Sequence, residues 1–181
     1  MYSELRTPRV VLRPYRLEDA EALHTAIQES RAAFERWLPG LVENHQTAEQ
    51  SQTFIQRAQA LWAQREKFHG SLWESSSGRF LGDLSVTTID WSIPACTLGY
   101  WLRLSASGQG YVSEAVERLS TYLLTEQHMQ RVAVWCESGN QASIAVAKRL
   151  GFVYEGTLRN AHQVGDRLCD FQVYSRIPSD Q

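Results

Sequence analysis

The chain has 181 residues, 43% hydrophobic and 21% charged, with a formal net charge of −2. That length buries a full apolar core in one domain without disulfides or metals to staple it, and a charge so near balance makes no electrostatic case for nucleic acid. Cys96, Cys136 and Cys169 are odd in number, far apart and outside any zinc-ligand spacing. Reduced thiols in a cytoplasmic protein are expected, with no structural metal. No signal-peptide core opens the chain, and no apolar run approaches the roughly 20 residues of a membrane span, so a membrane is not an expected partner.

Residues 9–16, Arg-Val-Val-Leu-Arg-Pro-Tyr-Arg, alternate like a half-buried strand. Leu17, Ala20, Leu23 and Ile27 then recur at helical spacing. An aromatic and apolar stretch from Phe34 to Leu41 is broken by Pro39-Gly40. Thr47 with Gln50 three residues on forms a capping box, and Phe54, Ile55, Ala58, Leu61 and Trp62 continue as a helical stripe. The middle of the chain reads as strands, His69–Trp73 and Phe80–Ile89 around a Ser75-Ser76-Ser77-Gly78 turn, then Thr97–Leu104. A helix from about Ser113 carries Ala115, Val116, Leu119, Tyr122 and Leu123 on one face. A strand at Arg131–Cys136 and a helix at Asn140–Leu150 follow, with Gly151 at a left-handed C-terminal cap. Phe152–Tyr154 and Leu168–Ile177 supply the last strands. With no repeat, linker or low-complexity tract, the whole of 1–181 reads as a single α/β domain.

One junction has the form of an anion site. Trp101–Leu104 runs into Ser105–Tyr111 and then into a helix, and the first amides of a helix lack internal partners while its dipole adds positive charge there. Glycines let such a backbone approach a phosphate closely. Gly108 and Gly110 alone do not decide the ligand. A dinucleotide fingerprint needs a third glycine where Ser113 stands, and the Gly-Lys-Ser/Thr of a nucleoside-triphosphate loop is absent. On local grounds a structural turn and a phosphate cradle both remain open.

Ordered blocks around the junction resemble a family. Leu102-Arg103-Leu104 with Ser107-Gly108-Gln109-Gly110-Tyr111-Val112 resembles motif A of the GNAT N-acetyltransferases, with Ser107 replacing the usual Gln or Arg and Val112 the usual small residue. Thr7–Pro14 with Asp19–Leu23, Leu98–Leu102, and Asn140–Ser143 with Lys148–Phe152 and Glu155–Arg159 resemble the branch that acetylates ribosomal-protein N-termini; Asp170 and Tyr174 close the pattern. The resemblance implies a mixed, twisted sheet with helices on both faces and a splayed strand, and acetyl-CoA as cosubstrate. Backbone groups of Leu102 and Leu104 would pair with pantetheine amides. The amides of Gly108, Gln109, Gly110, Tyr111 and Val112 would hold the pyrophosphate, with Asn140 as helix cap, cofactor contact or both. Arg103, Lys148 and Arg149 are candidates for further phosphate contacts or are simply solvated.

The implied reaction moves an acetyl group to a primary amine by direct attack. The acceptor would be a protein N-terminus, such as a ribosomal protein, or a small amine. Acetyl transfer needs a proton removed from the ammonium and one supplied to the leaving thiolate. Ser143 matches the branch's motif B serine and would donate to the thiolate, or else bonds only its own helix. His162 stands in a segment where the branch carries a Glu base, and near-neutral imidazole suits that task; a surface histidine is the competing reading. Asp83 is a second candidate at the acceptor site. Trp37 either walls that site or belongs to the core. A CoA-binding module without catalysis, an aminoglycoside or polyamine acetyltransferase and a nucleotide-binding regulator are the alternatives, and branch members suggest a homodimer.

Overall fold

The alternating segments pair into one eight-stranded sheet in the computed structural model, which describes residues 1–180. The strands are β1 (Leu5–Arg6), β2 (Val10–Pro14), β3 (Phe68–Glu74), β4 (Phe80–Asp90), β5 (Ala95–Leu102), β6 (Arg131–Glu137), β7 (Val153–Val164) and β8 (Arg167–Arg176). They lie in the order β1-β2-β3-β4-β5-β6-β8-β7, and each neighbouring pair is antiparallel except β5 with β6. Parallel strands need a crossover. Here it is helix α5 (Tyr111–Thr125), whose Ala115, Val116, Leu119 and Leu123 are buried against the sheet. Each large side chain so buried contributes roughly 1.5–3 kcal/mol.

Helix α6 (Gln141–Arg149) shares the α5 face, and its Ile144 and Ala147 join the same core. Helices α1 (Ala20–Glu29), α2 (Arg31–Trp37), α3 (Pro39–Glu43) and α4 (Ala48–Gln64) supply a second core, in which Leu23, Ile27, Phe34, Val42 and Ile55 surround Phe80. The expected mixed sheet with helices on both faces is therefore what forms. The Thr47–Gln50 capping box is present, each side chain accepting from the other's backbone N–H at 3.3 Å. Gly151 (φ +73) ends α6 in the left-handed region, with Phe152 N–H returning to Ala147 O at 3.1 Å.

Three elements differ from the sequence expectation. Helix α5 starts at Tyr111 rather than Ser113, because left-handed Gly110 (φ +84) serves as its N-cap. The stretch around Pro39 folds into α2 and α3, with the proline at the first position of α3, where its missing N–H costs nothing. β7 runs on to Val164 instead of ending near Tyr154. Its outer half lacks apolar alternation and is held by the hairpin partner, His162 opposite Cys169 and Val164 opposite Arg167.

β5 and β6 pair only from Ala95 opposite Arg131 to Leu98 opposite Val134. Beyond that point β5 stays with β4, up to Leu102 opposite Gly82, while β6 stays with β8, up to Glu137 opposite Phe171. The end of β5 is anchored on its own side. Arg103 donates to Phe80 O at 3.1 Å and forms an ion pair with Glu29 at the end of α1. That guanidinium holds the Glu29 carboxyl down at about 2. Leu104 N–H donates to Ser30 Oγ at 2.8 Å. The two strands therefore diverge and leave a gap in the sheet between Gly99–Leu102 and Trp135–Glu137.

Asp83 is buried in β4 beside Ser85 and His69. Its carboxyl accepts the Ser85 hydroxyl, which in turn lies 2.9 Å from His69 Nδ1. Burial pushes Asp83 up to about 7 and His69 down to about 4. A carboxyl raised on folding stabilises fully below its unfolded value, and that stabilisation is lost as pH rises toward the folded one. Asp83→Asn should therefore gain stability relative to the parent between about pH 4 and pH 7, by a few kcal/mol at most. Urea denaturation across that range checks it, and a variant-minus-parent difference that does not change with pH would show that Asp83 titrates normally.

Candidate active site

A cavity of about 500 Å³ fills the gap between β5 and β6. At one end lies the loop from Ser107 to Gly110, entered through a 3-10 turn (Leu104–Ala106) and leading into α5. Gly108 (φ +75) and Gly110 (φ +84) both occupy the left-handed region, where a side chain costs roughly 1–2 kcal/mol. Among the described residues, the N–H groups of Gly108 to Val112 donate to no protein acceptor. With the dipole of the 15-residue α5 behind them, they form an anion-binding row. Arg149 Nη1 donates to Ser113 Oγ at 3.1 Å beside this row.

The loop is braced from the start of the chain. Arg9 donates to Gln109 O at 3.0 Å and pairs with Glu114 at 2.7 Å, and its guanidinium sits 5.1 Å from the centre of the Tyr111 ring. The Tyr111 hydroxyl donates to Glu74 of β3. Tyr111 is consequently buried and turned away from the cavity.

Midway along the gap, Asn140 caps α6 by accepting Ser143 N–H at 3.1 Å. Its first turn presents Ser143, whose Oγ lies 3.0 Å from the Tyr100 hydroxyl and 3.1 Å from Cys136 Sγ. Burial pushes the Tyr100 hydroxyl far up and raises the Cys136 thiol. Both keep their protons at neutral pH, so Cys136 is no ready nucleophile. The other end of the cavity is aromatic, walled by Phe34, Trp37, Trp101, Trp135 and Phe171.

Among the residues singled out from sequence, Trp37, Leu102, Gly108, Gly110, Val112, Asn140 and Ser143 line one cavity. Gln109 offers its backbone to the loop but is exposed. Leu104 has its N–H committed within the protein. That N–H is given to Ser30 and its carbonyl accepts from Ser107 N–H at 3.0 Å, which leaves only the carbonyl's second lone pair for a ligand. Asp83 is 6% exposed, opposite Trp101 in the ladder, and is not among the residues lining the cavity. His162 lies on exposed β7 with its ring 5.0 Å from Phe171, outside the lining. Arg103 is committed to Glu29, whereas Arg149 lines the cavity. Sequence reasoning passed over Arg9 and Tyr100, which act through contacts 105 and 43 residues away and leave no local signal.

The family model for the acetyltransferase (GNAT) domain matches residues 9–153. The chain belongs to this family and is an N-acetyltransferase. It is similar to the ribosomal-protein-serine acetyltransferase of Escherichia coli, 33% identical over 101 residues that cover 56% of each chain. Similarity to the uS5-alanine N-acetyltransferase of the same organism is 27% over 153 residues, covering 84% of this chain and 79% of that one. Among solved structures, a ribosomal alpha-N-protein acetyltransferase in complex with coenzyme A superposes with a TM-score of 0.86 at 25% identity over 97% of each chain. No helix among the described residues is long and apolar enough to cross a membrane.

Gly110→Ala should cost about 1–2 kcal/mol through the strained cap. It should also press on the Arg9 guanidinium, 3.3 Å from the position a Cβ would take. Thermal or urea denaturation measures the loss, and an unchanged midpoint would mean that the loop re-forms without its left-handed turn.

Proposed function

We propose that this chain transfers the acetyl group of acetyl-CoA to the free amino group at a protein N-terminus, as a single domain spanning residues 1–181. The observation that carries the reading is the unpartnered N–H row of Gly108 to Val112 at one end of a cleft whose other end is aromatic. Phosphates suit the first end, and the extended gap along Gly99–Leu102 suits a strand-like pantetheine arm. The coenzyme A complex of the solved relative supports the same cosubstrate. The names of the E. coli relatives support an N-terminal serine or alanine as acceptor.

Bound acetyl-CoA supplies an activated thioester. The chain's own residues orient it and manage protons. Leu102, Gly108 and Gly110 present backbone to it, with the amides of Gln109, Tyr111 and Val112 completing the row. Arg149 adds a cation beside the first turn of α5. Ser143 donates to the departing thiolate, and the Tyr100 hydroxyl, kept protonated by burial, orients it. Since the Cys136 thiol is also held protonated by its surroundings, the amine attacks the thioester directly rather than an acylated cysteine.

Isothermal titration with acetyl-CoA tests the first step, and absence of heat at high ligand concentration overturns it. Ser143→Ala should lower kcat by about a hundredfold, the lower range for a positioned proton donor, while acetyl-CoA affinity changes little. Thiol release from acetyl-CoA with a tetrapeptide bearing a free N-terminal serine reads this out. A variant with unaltered kcat removes Ser143 from the chemistry.

A further inference from the structure

Side chains of a strand alternate between its faces, and in the open part of the sheet this gives the cleft two distinct walls. Tyr100 and Leu102 pack with Val134 and Cys136 in the core shared with α5 and α6. Trp101, one residue out of phase, packs against Phe34 in the core of the α1–α4 layer, ring centres 5.3 Å apart. Trp135 and Glu137 alternate with Cys136 and so lie toward this second layer. The α2 residue Trp37 closes over them, its ring 3.5 Å from where a Cβ on Gly139 would stand.

Among the described residues Glu137 is the only acidic one lining the cavity, and its side chain is 12% exposed. One carboxylate oxygen lies 3.4 Å from Arg167 Nη1. The other is shut off from solvent and has no hydrogen-bond partner among the described residues. A carboxylate half satisfied at a buried position carries a desolvation cost that a cation can offset. Arg167 does not supply that second contact. Its other nitrogen donates to Arg36 O at 3.0 Å, which ties the tip of the β7–β8 hairpin to α2. Arg149, the other charged residue lining the cavity, stands beside the amide row on α5. The cleft is thus positive where phosphates would lie and negative, with aromatic walls, where an acceptor would enter.

We infer that Glu137 attracts the ammonium group of the acceptor to its carboxylate at the cavity wall and so makes the enzyme selective for cationic amines; the bound ammonium releases a proton to solvent before its nitrogen attacks the thioester. The inference rests on the acetyl-CoA reading above and adds the residue that reads the second substrate. The surrounding rings strengthen the contact, since aromatic faces attract ammonium groups and exclude water from the charge pair.

The test is steady-state kinetics of the full chain with acetyl-CoA and the N-terminal serine tetrapeptide. Glu137→Gln keeps the shape and removes the charge. It should raise the KM for the peptide at least roughly tenfold, the loss of one charge-assisted hydrogen bond, with the acetyl-CoA dissociation constant unchanged. Arg167→Met separates recognition from support. It removes the same ion pair but leaves the carboxylate, so the peptide KM should hold or fall. A Glu137→Gln enzyme with the parental peptide KM overturns the inference, and so does an Arg167→Met enzyme that reproduces the Glu137→Gln defect. If the parent binds acetyl-CoA yet releases no thiol with any amine offered, the acetyl-transfer reading itself fails, a different result from either.

Discussion

Everything at the candidate site depends on two neighbouring parallel strands parting company. β5 and β6 share their register for only four residue pairs. A strand edge without a partner normally invites another chain or must be blunted. Here the two inner edges face each other across a cavity and each strand keeps its outer neighbour, so the sheet stays intact on both sides. The divergence is held open by groups outside the sheet: Arg103 and the Leu104 amide bind the end of β5 to the α1–α2 corner, and β8 carries the end of β6 away.

Where local chemistry fixes local structure, the sequence was readable. The Thr47–Gln50 box, the Gly151 cap and the glycines of the loop each do what their residue types require. The two-faced helical packing follows from apolar spacing alone. The family resemblance supplied the splay, which no periodicity could have shown.

What escaped the sequence depends on contacts between distant residues. Leu104 sits in the right segment, yet Ser30, 74 residues earlier, takes its amide. Asp83 lies on a central strand, as expected, and on the same face as Trp101, but Trp101 of β5 stands between it and the cleft. Outer β7 is polar on both faces and offers no alternation. Glu137 looks like any acid near a strand end until Arg167 and Trp37 are brought over it from other parts of the chain.

Arg9 adds a consequence for how the protein comes to be made. The strand, loop and helix around Gly108 look like a self-contained unit, but the bonds that set the loop run back across about a hundred residues to Arg9, just before the second strand. Contacts of such separation are costly to close and form late in folding. A growing chain that has just completed α5 therefore already holds both halves of the brace, while the acceptor end still waits for β8 and its Arg167.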